Sequence, residues 1–173
     1  MATVADLNVV AQAFLVAATD ALELTAAGPP ARRYVSPGEP ALDCCGQLTV
    51  WIQQISDAEL LAGSGALARA AAIKRGTQPE IGLFVQATRC VNLAADKATD
   101  LPSPTNLEAA AVAINEDAWA LRTQLMWDLR HGDLAQVCSG AEFLGANALI
   151  PQGGCVGWTF SFRYPIEGGV IGT

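Results

Sequence analysis

The stretch Cys155-Val156-Gly157-Trp158-Thr159-Phe160-Ser161-Phe162-Arg163-Tyr164 alternates without a break. Val156, Trp158, Phe160, Phe162 and Tyr164 fall on one face, and Gly157, Thr159, Ser161 and Arg163 on the other. A period of two residues is the mark of a strand that buries one face and turns the other outward. Pro165 and the Gly168-Gly169 tail end it. Working back along the chain, the same period recurs in Pro79–Cys90, where Ile81, Leu83, Val85 and Ala87 oppose Gly82, Phe84, Gln86 and Thr88. It recurs again in Gln47–Ile55, with Leu48, Val50 and Ile52 against Gln47, Thr49, Trp51 and Gln53. Arg32–Val35 and Glu142–Leu149 are shorter extended or apolar pieces, as is Asp133–Val137.

Between and before these runs the period lengthens. Leu7, Val10, Phe14, Ala17, Ala21 and Leu24 recur every three or four residues, which predicts a helix over Ala5–Leu24 with Thr3 as its cap. Gly28-Pro29-Pro30 ends it, because proline cannot continue the turn. Ser103-Pro104 announces a second helix, with Ser103 as N-cap and Pro104 at the first position, where its missing N–H costs nothing. That helix is expected to run to Arg130 or His131, with Leu107, Ala111, Ile114, Ala118, Leu121, Leu125 and Leu129 as its buried stripe. Trp119, Met126 and Trp127 lie beside or behind the stripe and either widen the core or meet a neighbouring subunit. Glu116 and Asp117 read as the helix's solvated side, and Gly132 as a left-handed stop after the last-turn cation His131.

Helix, strands, long helix, strands is the order of an α+β domain. The expected architecture is an antiparallel sheet of about four to five strands, covered on one face by the N-terminal helix and the long central helix. A chain of 173 residues reads as one domain, 1–173. Its one irregularity is a long stretch between strands at about 56–78, rich in Gly and Ala, which reads as a mobile insertion or a contact arm.

Composition then excludes several functions. With Lys+Arg 10 against Asp+Glu 17, the net charge of −7 gives no basic face for gripping nucleic acid by its phosphates. At 51% hydrophobic and 16% charged residues the chain is not disordered. No apolar run approaches a membrane span, and no basic leader or cleavage site opens the chain, so a cytosolic setting is expected. The odd set Cys44, Cys45, Cys90, Cys138 and Cys155 then points to reduced, buried thiols, with a disulfide formed after assembly, from the 44/45 pair to Cys90 or Cys155, as the alternative.

Zinc-ligand spacing is absent, and so are GxSxG, HExxH, GxGxxG and the phosphate loop. The chain is therefore read as no enzyme, with no catalytic, cofactor-binding or metal residues. A cysteine-dependent enzyme or ligand-binding domain built on Cys44 or Cys45 is the distant alternative, disfavoured by the acidic neighbours Glu39 and Asp43.

Two blocks carry a resemblance. Val35-Ser36-Pro37-Gly38-Glu39-Pro40-Ala41 with Asp43-Cys44-Cys45-Gly46-Gln47-Leu48, and Gly153-Gly154-Cys155-Val156-Gly157-Trp158, resemble a neck protein of long, non-contractile-tailed phages of actinobacteria. Arg89-Cys90 closing a strand adds to the match, which runs from about residue 30 onward. Within that neck the chain is most similar to the tail terminator family. The resemblance implies an α+β subunit of a homohexameric ring that caps the tail tube, ends tail polymerisation and joins the tail to the head connector. It implies the major tail tube protein and the head–tail stopper as partners, DNA passing through the lumen without specific binding, and a place in the virion after assembly in the host cytoplasm. The family has no catalytic residues to transfer. A head–tail stopper or adaptor of the same connector is the alternative.

Overall fold

The computed structural model describes residues 4–41, 46–57, 79–90, 103–149 and 155–165. The cap Thr3, the cysteines Cys44 and Cys45, nearly all of the 56–78 stretch, and the turn and tail around 151–154 and 166–173 lie outside the described residues. The elements follow in the order α1 (Val4–Glu23), β1 (Arg32–Ser36), β2 (Gln47–Asp57), β3 (Pro79–Cys90), α2 (Pro104–His131), α3 (Asp133–Val137), β4 (Glu142–Ala148) and β5 (Cys155–Pro165).

One five-stranded sheet runs β1-β2-β3-β5-β4, and α1 and α2 pack together on one of its faces, so the chain is α+β as its periodicities predict. The β2–β3, β3–β5 and β4–β5 pairs are antiparallel. The β1–β2 pair is parallel, which the turn-rich connection had not suggested. Parallel strands normally need a crossover of a dozen or more residues. Here β1 is only five residues long, and ten residues, 37–46, separate it from β2. Gln47 fastens the return by donating from Nε2 to the Ala41 carbonyl at 2.9 Å, and Gly46 turns into β2 at a φ of 76°.

The helix-facing side of the sheet is apolar throughout. Leu48, Val50, Leu83, Val85, Phe160 and Phe162 join Val10, Phe14, Ala18, Leu22, Leu121 and Leu125 in one buried cluster. Phe14 from α1 meets Phe162 at 4.9 Å between ring centres, and Phe143 from β4 meets Phe162 at 5.4 Å. Each fully buried side chain of this size contributes roughly 1.5–3 kcal/mol, so this layer carries the fold.

Three residues of the expected helix stripes are exposed, and Leu7 and Ile114 are half-buried outside the core cluster. Leu24 is 77% exposed, just past the end of α1, and Leu107 and Ala111 are exposed near the start of α2. Residues 104–116 of α2 are exposed or half-buried, and close burial begins only at Asp117. Ser103 caps α2 as expected, its hydroxyl accepting from the Asn106 N–H at 3.2 Å. Gly132 ends it differently: at φ −102° and ψ −160° it is extended, not left-handed. A Cβ there would meet the Asp128 carboxylate, so a larger residue would require that side chain to swing aside.

Candidate assembly surfaces

The residue that positions α2 is Arg89, the last helix-facing residue of β3. Its Nε donates to Oδ2 of Asp117 at 2.7 Å and its Nη2 to Oδ1 at 3.0 Å, a bidentate pair. Nη2 also donates to the carbonyl of Gly28, where the chain leaves α1. Asp117 is only 2% exposed, so it is not on the solvated side of the helix. The buried partner on β3 overrides the local pattern. Two signals mark the pair in hindsight: Arg89 keeps the register of Ile81, Leu83, Val85 and Ala87, and Asp117 stands four and eight residues before the buried Leu121 and Leu125. Glu116 does face outward, accepting weakly from the Ala26 N–H at 3.3 Å.

The opposite face of the sheet is polar, and much of it is nonetheless buried. Gln47, Thr49 and Thr88 have no exposed surface, Trp51 has 2% and Gln86 has 3%. Thr88 joins β2 to β3 through its hydroxyl, which accepts from the Gln47 N–H at 3.1 Å. Gln86 donates to Oγ1 of Thr159 at 3.2 Å, and Trp51 stacks on Phe84 at 5.3 Å. Among the described residues, Oγ1 of Thr49, Nε1 of Trp51, Oε1 of Gln86 and Oε2 of Glu80 have no hydrogen-bond partner. Arg163 links Glu80 and Glu142 at the margin of this face.

The outer side of α2 carries several exposed apolar side chains. Trp119 is 69% exposed, Val112 68% and Trp127 53%, so Trp119 and Trp127 do not widen the core. Met126 is half-buried. Arg122 lies 5.9 Å over the Trp119 ring, and His131 sits 6.0 Å from the Trp127 ring. With Thr123 and Arg130 these residues line a shallow groove. Smaller exposed apolar groups stand elsewhere: Val9 and Val16 on α1, and Leu144 at the bulge of β4.

The residues weighed for chemistry sit apart. His131 is exposed in the last turn of α2, in the position of a helix-end cation. Cys138 is buried and donates its S–H to the Leu134 carbonyl at 3.0 Å; burial pushes its thiol up to about 12, which leaves it unreactive. Cys90 and Cys155 face each other across β3 and β5. Where α1, α2 and α3 meet, burial raises the affinity of Asp128 for its proton, with Asp133 and Asp20 adding to the effect and a hydrogen bond from Gln124 opposing it. No group of three or more metal-ligating side chains occurs among the described residues, and no described helix is long and apolar enough to cross a membrane. No protein-family model matches the chain, and no curated protein matches its sequence.

Proposed function

We propose that the chain is a structural subunit of a phage neck, forming the ring that caps the tail tube, ends tail polymerisation and joins the tail to the head connector. The observation that carries this reading is the distribution of uncovered apolar side chains. They stand on α1 (Val9, Val16), on α2 (Val112, Trp119, Trp127) and on β4 (Leu144), at exposures above half. A protein whose apolar groups remain open on several elements is built for more than one contact, and a ring subunit needs two unlike faces that meet head to tail. The motif resemblance supplies the ring's identity, and the α+β fold agrees with what that family implies. The five-stranded sheet weighs against the mostly helical adaptor of the same connector. A net charge of −7 suits a channel wall that lets DNA pass without holding it.

Electron microscopy and native mass measurement of the purified protein, alone and with the major tail tube protein, test the reading. Closed six-membered rings are the expected result. A strict monomer under both conditions overturns it.

A further inference from the structure

The outward ridge of α2 has a symmetry of its own. Val112, Trp119 and Met126 recur every seven residues along it, and charge is divided about Trp119. Glu108 and Glu116 lie on its N-terminal half, Arg122 and Arg130 on its C-terminal half, and all four are exposed. Counted from Trp119, Val112 and Met126 are equally far on either side, and so are Glu108 and Arg130.

We infer that α2 packs antiparallel on α2 of a second copy, across a two-fold axis passing at Trp119. In that arrangement the two tryptophans meet at the axis, and Val112 of each copy faces Met126 of the other. The Glu108 carboxylate then lies opposite the Arg130 guanidinium, about 16 Å from the axis at 1.5 Å per residue. A parallel arrangement would set acid on acid and base on base, so the charge division selects the antiparallel one. Seven-residue spacing keeps an apolar line facing its partner along the whole contact.

The area is also available. The first half of α2 carries no buried residue before Asp117, and its outer side is among the most open apolar surfaces described. The contact is isologous and closes at two copies, unlike the head-to-tail contact of a ring. It rests on the α2 side chains alone and goes beyond the ring reading.

Cysteine cross-linking of the full chain tests the geometry, with the unsubstituted protein as control. Under mild oxidation, Trp119→Cys should link to itself. Val112→Cys and Met126→Cys should each fail alone but link when the two variants are mixed. Sedimentation tests the charges: Glu108→Arg or Arg130→Glu alone should weaken the dimer by about tenfold, and the double exchange should restore it. Trp119→Ala should weaken it by about a hundredfold, with its circular dichroism unchanged because the residue is exposed. A wild-type protein that stays monomeric, a dimer in which Trp119→Cys does not self-link, or single charge reversals without effect would each overturn the inference. Failure to form rings with the tail tube protein leaves all of these readouts as they are.

Discussion

Toward α1 and α2 the sheet presents Leu48, Val50, Leu83, Val85, Phe160 and Phe162; away from them it presents Gln47, Thr49, Trp51, Gln86 and Thr88, buried nearly as completely. The energetic consequences differ. On the helix side the buried groups described are apolar apart from Thr25, whose hydroxyl donates to the Leu22 carbonyl, and the Asp117–Arg89 pair, whose carboxylate accepts from two donors. On the other side four buried polar atoms have no hydrogen-bond partner among the described residues, and each such atom costs about 1–3 kcal/mol relative to a satisfied one. Equal burial is therefore not equal stabilisation. The helix side holds the molecule together, while the polar side gives part of that stability back.

The largest test breaks both sides at once. Gly157 on β5 stands so close to β3 that a Cβ would lie 2.0 Å from the Ala87 carbonyl oxygen and 2.9 Å from the Thr88 Cα. Both obstacles are backbone, so the strands must part. Gly157→Ala is expected to cost more than about 4 kcal/mol, read as loss of cooperative urea unfolding or of soluble expression. A Gly157→Ala protein with unchanged urea midpoint would show that β3 and β5 are not packed this closely.

Next comes the helix side alone. Asp117→Ala leaves Arg89 largely buried without its carboxylate and should cost about 3–5 kcal/mol in urea unfolding. Replacing both partners with apolar residues, Asp117→Leu with Arg89→Met, should recover most of that loss, since the buried pair's desolvation is then relieved as well. A small loss in the single variant would mean that solvent reaches Arg89 readily.

The smallest effect sharpens the contrast from the polar side. Thr49→Val exchanges a hydroxyl without a partner for a methyl of nearly the same shape. It should stabilise by about 1 kcal/mol, a rise of roughly 2–4 °C in Tm for a chain of this size. A loss of stability instead would show that the Thr49 hydroxyl is satisfied in solution, and the two sides of the sheet would then differ less than they do here.

The amino-acid pattern discloses much of this architecture. The two-residue period assigns the strand faces correctly in β3, in β5 and in β2 as far as Ile52, because a strand's alternation depends only on which side meets the helices. The bulge between Ile52 and Gln54 then shifts the phase, so that Ile55 pairs with Ile81. Ser103-Pro104 marks the start of α2 through local capping chemistry alone. What the pattern hides depends on partners distant in the chain. The parallel pairing of β1 is fixed by its partner strand β2 and leaves no mark in its own five residues. Asp117 reads as a surface residue until Arg89 is brought against it. Leu24 keeps the period of α1 but falls just past its last turn, where no neighbour covers it. The exposure of Trp119 and Trp127 is of the same kind: spacing placed them beside the stripe, and only the finished packing left them outside it.

Arg89 has one further consequence. A single guanidinium holds the midpoint of α2 through Asp117 and the exit of α1 through the Gly28 carbonyl, from the end of β3. Neither helix can lift from the sheet without releasing the same cation. The two helices therefore belong to one cooperative opening unit, and their slowest amide protons should exchange with a common free energy instead of two.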